Sequence, residues 1–139
     1  MNAPQPVAVI VDISRSKEHA DRLRLQHDVS AAFAEVNRIV PSMQRLKSTI
    51  GDEFQAVYAS VPQALRATLL ARLHLPEGVE CRFGLGEGEV RPVGEGLAGK
   101  IQDGPGWWAA RDAVEQARTR EYSRLKFVRT WFVSGPWRR

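Results

Sequence analysis

The chain has 139 residues, of which 43% are hydrophobic and 26% are charged, and its formal net charge is +4. A chain of this length is the size of one domain and buries roughly 68% of the surface that it exposes when unfolded, so it needs no disulfide. Its single cysteine, Cys81, excludes an internal disulfide and predicts a protein of the reducing cytoplasm. The sequence has no apolar run as long as a membrane span and no signal-peptide pattern in residues 1–6, which we expect to be a short disordered lead.

The first predicted strand is the nearly unbroken apolar run from Val7 to Ile13, which is typical of a central strand covered on both faces. Asp12 lies at its exit. Ser16 is the predicted N-cap of a helix that begins near Lys17 and ends before Pro41. The buried stripe of that helix is predicted to consist of Leu25, Val29, Ala32, Phe33, Val36 and Val40.

A hairpin follows, with strands over residues 43–50 and 54–59 joined at a Gly51-Asp52-Glu53 turn. Ser60 and Gln63 form a capping pattern for a second helix. The predicted apolar face of this helix is Leu65, Leu69, Leu70 and Leu73.

The last third of the chain is predicted to hold a strand, a glycine-rich loop, a helix and a final strand. The strand covers residues 79–85, the loop runs to Gly106, the helix covers 107–117 and the final strand covers 125–133. The order is therefore β-α-β-β-α-β followed by a helix and a strand. It predicts the α/β class in the form of an α+β sandwich, a ferredoxin-like palm, as one domain over residues 7–139.

Two acids lie at strand ends that this topology brings to one edge of the sheet. Asp12 and Asp52 would then lie side by side, where carboxylates bind a hard cation such as Mg²⁺ or Mn²⁺ and repel each other without one. Glu53 is a third candidate ligand, although neighbouring strand residues point to opposite faces. The alternative is that these acids are ordinary solvated turn residues.

Four separated pieces resemble the palm domain of class III nucleotidyl cyclases, and the Gly-Asp-Glu-Phe hairpin resembles diguanylate cyclases. They are Asp12-Ile13, Thr49-Ile50-Gly51-Asp52, Arg82-Phe83-Gly84-Leu85 and Ala109-Ala110-Arg111. The segment Gly51-Asp52-Glu53-Phe54-Gln55 and the opening strand that ends in Asp-Ile also resemble the SatD-like family of small bacterial proteins, over about residues 7–117.

The resemblance implies phosphoryl chemistry on a nucleoside triphosphate with magnesium or manganese. Asp12, Asp52 and Arg111 would be the catalytic residues, and Asp12, Asp52 and Glu53 the metal ligands. The predicted nucleotide and phosphate contacts are Ile13, Ser14, Arg15, Ser16, Lys47 and Trp107.

Three departures from the cyclase pattern bear on the substrate. Trp107 stands where the cyclase motif has asparagine, Ser48 where adenylate cyclases have a base-selecting lysine, and Lys100 where its partner acid is expected. The adenine selection of the cyclases is therefore not encoded here.

Three functions remain open from the sequence. The first is a cyclase-like enzyme, and the second is a non-catalytic nucleotide or metal sensor. The third is a nucleic-acid-binding module that uses the basic end, where seven Lys or Arg accompany one acid, Glu121, between Arg118 and Arg139. The cyclase resemblance also implies a homodimer, with its contact near the glycine-rich segment after Leu85 or near Trp107 and Trp108.

Overall fold

The computed structural model describes residues 4–96, 99–123 and 125–134. Its helices and strands are, in chain order, β1 (Val7–Ile13), a 3-10 turn (Ser16–Glu18), α1 (Arg22–Ile39), β2 (Gln44–Ser48), β3 (Glu53–Tyr58), α2 (Val61–His74), β4 (Cys81–Glu87), β5 (Arg91–Gly96), β6 (Gly99–Asp103), α3 (Pro105–Glu121) and β7 (Thr130–Ser134). Parts of the predicted lead and of the basic end, residues 1–3, 124 and 135–139, lie outside the described residues. In the described part of the chain, no helix combines the length and the apolar character that crossing a bilayer requires.

The main sheet has five strands in the order β2-β3-β1-β4-β7. β1 is antiparallel to both β3 and β4, and β2 is antiparallel to β3, which is the arrangement of a βαββαβ ferredoxin-like core. β7 adds to the edge in parallel with β4, so the sheet is mixed. The predicted α+β palm with an added helix and strand is confirmed.

β1 is buried on both faces because helices cover both sides of the sheet. Val7, Val9, Val11 and Ile13 lie in the larger core with residues of α1 and α2. The alternate residues Ala8 and Ile10 pack in a second core with Trp107, Ala110 and Val114 of α3. Even positions of β1 therefore face α3, and this is the side on which Asp12 lies.

The predicted stripe of α1 is confirmed, but its predicted start is wrong. Leu25, Val29, Phe33 and Val36 are buried. The helix begins at Arg22, where the Asp21 side chain accepts a hydrogen bond from the backbone N–H of Arg24. Residues 16–18 form only a 3-10 turn, because the backbone is extended at His19 and again at Asp21, which separates this turn from α1.

The predicted apolar face of α2 is wrong for three of its four leucines. Leu65, Leu69 and Leu73 are 47%, 59% and 71% exposed. The residues that face the core are instead small: Ala64, Ala67, Thr68 and Ala71. Small side chains allow α2 to pack closely against the core. The buried face is therefore the one that carries these small residues and not the one that carries the large leucines. The Ser60 cap is confirmed, since its hydroxyl oxygen accepts a hydrogen bond from the Gln63 N–H.

We expect Leu69→Ala to change the free energy of unfolding by about 0.5 kcal/mol or less, because the side chain is exposed. Leu25→Ala is the matched control and should cost about 2–5 kcal/mol, because Leu25 is buried in the core. Urea denaturation of the two variants measures both values. Equal losses would mean that the leucines of α2 are covered in solution.

The glycine-rich segment is not the loop that its composition predicted. Gly84 and Gly86 lie in β4, and β5 pairs with β6 as a two-stranded antiparallel sheet. A Cβ at Gly86 would lie 2.2 Å from the Ala110 backbone nitrogen, so these glycines allow α3 to approach β4. Cys81 begins β4 as a buried free thiol, and burial raises the pKa of this thiol.

The final helix and strand are confirmed as elements, with shifted bounds. α3 covers Pro105–Glu121, so it begins earlier and ends later than predicted. β7 begins at Thr130 rather than at residue 125. The longer α3 matters for the site, because its last two turns contribute side chains that the shorter prediction left out.

Candidate functional site

A cavity of about 600 Å³ opens at the end of β1, between the sheet and α3. Its charged lining is made of Asp12, Glu18, Asp52, Glu53, Arg15, Arg82, Arg111 and Arg118. Four carboxylates thus face four guanidinium groups. A concave site in which polar groups converge is a candidate binding site.

The strand register explains why these groups meet. Asp12 of β1 lies opposite Glu53 of β3 on one side and opposite Arg82 of β4 on the other. All three follow the alternation that places their side chains on the α3 face of the sheet. Arg111 and Arg118 are seven residues apart on α3, about two turns, and so share one face of that helix. Asp52 precedes Glu53 at the hairpin turn and lines the same cavity as Asp12.

Asp12 is held by two arginines. Its Oδ1 accepts a hydrogen bond from Arg82 Nε at 2.8 Å, and its Oδ2 accepts one from Arg118 Nη2. The expected repulsion between Asp12 and Asp52 is therefore not the main interaction of Asp12. The opposing charge in contact with it comes from arginine.

Arg82 is fixed in turn by a buried carboxylate at the end of α3. Its Nη1 donates to Glu121 Oε2 at 2.5 Å, and the Ser14 hydroxyl donates to Glu121 Oε1. Burial raises the pKa of Glu121, but the hydrogen bonds from Ser14 and Arg82 outweigh it and the pKa lies below its usual value. Buried charges persist only with such partners, so this network fixes the orientation of Arg82.

Asp52 is held by the start of α1. Its carboxylate accepts hydrogen bonds from Arg22 Nη2 at 2.8 Å and from Gln26 Nε2 at 2.9 Å, and Gln26 also donates to the Gly51 carbonyl oxygen at 2.7 Å. Burial raises the pKa of Asp52, but hydrogen bonds with Ser16, Gln26 and Arg22 outweigh burial and lower it overall. The hairpin tip therefore has a defined position over the cavity.

Glu53 forms a two-point ion pair with α3. Arg111 Nη1 and Nη2 donate to its two carboxylate oxygens at 2.6 and 3.0 Å, and Gln55 donates to it at 2.9 Å. Burial raises the pKa of Glu53, but the Arg111 and Gln55 hydrogen bonds lower it overall. The sequence left open whether Glu53 faces solvent or the core edge, and in the structure it lines the cavity.

Two of the predicted nucleotide contacts lie elsewhere. Trp107 is buried in the core against Ala8, Ile10 and Val57, so its ring is not presented to the cavity. Lys47 is exposed on the edge strand β2 and does not line the cavity. Both predictions came from the cyclase resemblance, whereas the strand pleat and the rotation of α3 direct these side chains away.

The predicted contacts that directly follow Asp12, residues 13–16, divide into two pairs. Arg15 and Ser16 line the cavity, with Ser16 bonded to Asp52. Ser14 is buried, its hydroxyl bound to Glu121 and its backbone N–H donating to the Glu80 carbonyl oxygen at 2.8 Å. Ile13 borders the cavity, but its side chain lies in the α1–α2 core.

Sequence reasoning missed the roles of three residues. Arg82 stood only in the matched segment of β4, while Arg118 and Glu121 were counted as part of the basic end. Their partners lie between 39 and 107 positions away along the chain, which is why no local pattern revealed them. The seven-residue spacing of Arg111 and Arg118 was the one available signal.

The donor chemistry of the cavity fits a hard divalent cation, because Asp12, Asp52 and Glu53 supply carboxylate oxygens. Each of these carboxylates is paired with arginine, however. Within the described residues, no three side chains of His, Cys, Asp or Glu are gathered as a cation site. Magnesium would therefore compete with these arginines for the carboxylate oxygens.

The lowered pKa values of Asp52, Glu53 and Glu121 predict loss of stability in acid. A carboxylate with a depressed folded-state pKa stabilises the fold above its unfolded pKa of about 4 and loses this contribution as the pH falls through the folded pKa. We expect the free energy of unfolding to be nearly constant from pH 7 to about 5.5 and to fall below about pH 4.5. Urea denaturation across this range measures it, and Glu121→Gln should flatten the acid limb. Stability that rises on acidification would contradict the assignment.

The chain is similar to one protein family and to several solved structures. The model of the SatD family matches residues 6–128. No curated protein is similar enough in sequence to count as a match.

Several solved structures are similar in fold. A bacterial light-regulated adenylyl cyclase has a TM-score of 0.62 at 14% identity, over 85% of this chain and 72% of that one. The guanylate cyclase domain of RhGC from Catenaria anguillulae, in complex with GTP, has a TM-score of 0.55 at 16% identity, over 80% and 73%. The catalytic core of a rhodopsin-guanylyl cyclase of converted specificity, in complex with ATPalphaS, has a TM-score of 0.55 at 16% identity, over 78% and 71%. At these identities the likeness shows a cyclase-like fold, and the family match over most of the sequence places the chain in the SatD family.

Proposed function

We propose that the cavity binds a nucleoside triphosphate, or a related phosphate ligand, together with magnesium or manganese. The observation that carries this proposal is the convergence of Asp12, Glu53, Arg111 and Arg118 on one sheet face in one cavity. The structural neighbours solved with GTP and with ATPalphaS support the same ligand class.

Burial distinguishes the side chains that hold the site in place from those that can contact the ligand. Arg82 is buried and bound on both sides, so it holds Asp12 in place. Arg15, Arg111 and Arg118 are half-exposed or more and reach the cavity, so they are the cations for phosphate oxygens. Asp12, Asp52 and Glu53 would hold the metal ion, whose role is to offset phosphate charge and polarise the phosphoryl group. The Ser14 amide already donates to the Glu80 carbonyl oxygen, so among the predicted contacts that follow Asp12 we assign phosphate binding to Arg15 and Ser16.

Ligand-dependent melting tests the proposal. Each of the four nucleoside triphosphates is added with Mg²⁺ or Mn²⁺, and selective binding to the folded state should raise Tm, by an amount equivalent to about 2.7 kcal/mol at one hundred times Kd. Glu35→Gln is the control, because Glu35 pairs with Arg38 on the exposed side of α1, and it should keep the full rise. A wild-type Tm that is indifferent to every combination of metal and nucleotide would reject the proposal.

Turnover is a separate question from binding. A product assay with the stabilising nucleotide distinguishes the cyclase-like enzyme from the sensor, since both share the metal and phosphate contacts. Arg111 is the residue whose replacement should lower turnover most relative to binding if the protein is an enzyme, because it can stabilise charge that develops in the transition state.

The nucleic-acid alternative is weaker, since several of the basic groups have partners within the fold. Arg118 binds Asp12, Arg120 stacks over the Trp131 ring at 3.8 Å, and Arg129 lies 3.4 Å from Glu80. Salt-dependent binding of single-stranded DNA without metal would revive that alternative.

The homodimer and the cytoplasmic location belong to the proposal. The predicted contact no longer includes Trp107, because this ring lies in its own chain's core. Sedimentation equilibrium with and without the nucleotide tests for the dimer. The location follows from the lone Cys81, and retention of the protein in the cytosolic fraction tests it.

A further inference from the structure

The arginines on the two facing carboxylates fall into two classes. Arg82 has a side chain only 6% exposed and is bound to both Asp12 and Glu121. Arg118 and Arg111, which bind Asp12 and Glu53, have side chains 44% and 51% exposed. One arginine is therefore fixed in the fold, and two reach their carboxylates from solvent.

This difference decides which pairs break easily. A solvent-exposed ion pair contributes little net free energy, whereas breaking a buried pair leaves an uncompensated charge. The guanidinium fork binds phosphate oxygens with the same two-point geometry that Arg111 uses on Glu53. Arg111 and Arg118 can therefore leave their carboxylates at a low free-energy cost, and phosphate is a suitable new partner for both.

We infer that Arg111 and Arg118 exchange partners when the ligand binds, an inference that rests on the proposed function. They leave Glu53 and Asp12 for the phosphate oxygens, and the carboxylates that they release accept the divalent cation. Arg82 stays on Asp12 and preserves its position. The same movement serves both ligands, so binding of metal and binding of phosphate are coupled, and by linkage each strengthens the other equally.

Partner exchange predicts an unusual result for the affinity of the protein for the metal ion without nucleotide. Removing a phosphate-binding arginine should strengthen metal binding, because its carboxylate is no longer occupied. We expect Arg118→Gln to bind Mn²⁺ without nucleotide about fivefold more tightly than the wild type, and to bind inorganic tripolyphosphate in EDTA at least about fivefold more weakly, within the usual range of coupling energies. Electron paramagnetic resonance of free Mn²⁺ measures the first, and calorimetry the second.

Arg15→Gln is the matched control for charge. It removes the same positive charge from the same cavity, but Arg15 pairs with Glu18 rather than with Asp12. General electrostatics predicts the same gain in Mn²⁺ affinity for both variants, whereas partner exchange predicts a clearly larger gain for Arg118→Gln. Arg111→Gln provides a second, more exposed variant that acts through Glu53, in case Arg118→Gln folds poorly.

The outcomes distinguish partner exchange from the proposed function on which it rests. A larger gain in Mn²⁺ affinity for Arg118→Gln or Arg111→Gln than for Arg15→Gln supports partner exchange. Wild-type binding of nucleotide with Mn²⁺, but unchanged or weaker Mn²⁺ affinity in both variants, overturns the exchange and leaves the proposed function standing. No wild-type binding of nucleotide with Mn²⁺ overturns both.

Discussion

Asp12→Asn should abolish the stabilisation by metal and nucleotide and should also destabilise the protein without them. The substitution removes the charge that accepts hydrogen bonds from Arg82 and Arg118, and Arg82 stays buried. A hydrogen bond to a charged group contributes about 1.5–3 kcal/mol, and a loss of this size is expected in the free energy of unfolding. The repulsion between Asp12 and Asp52 that the sequence leads one to expect would act in the opposite direction, because its relief would make the asparagine variant more stable.

Urea denaturation at pH 7 and ligand-dependent melting provide the two readouts. Asp52→Asn is a matched comparison, because Asp52 pairs with an exposed arginine, Arg22, and its loss should cost less stability while still weakening metal binding. An Asp12→Asn protein that is more stable than the wild type would show that carboxylate repulsion outweighs the arginine contacts.

Gly86→Ala is expected to have the largest effect on folding. Its new Cβ would lie 2.2 Å from the Ala110 nitrogen and 2.3 Å from the Gly106 oxygen, and both are backbone atoms of α3 that cannot rotate away. Relief requires α3 to move off β4, which costs about 3 kcal/mol or more at such a tightly packed contact. Because α3 carries Arg111 and Arg118, the variant should lose ligand binding even where it remains folded.

Gly51→Ala is the control for this substitution. A Cβ at Gly51 meets no atom within 4 Å, and only the left-handed φ of 63° opposes it, at about 1–2 kcal/mol. Denaturation midpoints of the two variants rank them directly. If Gly86→Ala is no less stable than Gly51→Ala, the close approach of α3 to β4 does not exist in solution.

The parts of the fold that were predictable carry large apolar residues either in a nearly unbroken run or at a regular helical spacing. β1 and α1 are of this kind, and their buried positions were found correctly. α2 failed because its buried stripe is made of alanines, so the largest side chains indicated the wrong face. Gly86 of β4 was assigned to the loop for a related reason, because a glycine that allows close packing resembles a glycine in a loop when only the sequence is known.

The candidate site was likewise predictable only where its residues follow local sequence signals. Asp12 and Asp52 were found because they follow strand and turn signals that are local in sequence. The partners that set their properties were not, because Arg82, Arg118 and Glu121 reach them across strands and from the far end of α3. Local patterns locate acids at strand ends, but they do not show which cations neutralise them. Under the proposed function, those cations are the groups that would bind phosphate beside the metal ion.

The most direct test of the account is a crystal structure with Mn²⁺ and a non-hydrolysable nucleoside triphosphate, measured at a wavelength where manganese scatters anomalously. We expect an anomalous peak in contact with oxygens of Asp12 and of Asp52 or Glu53, and phosphate density against Arg111 and Arg118. Nucleotide bound elsewhere on the protein, or phosphates in this cavity with no manganese among the three acids, would contradict it.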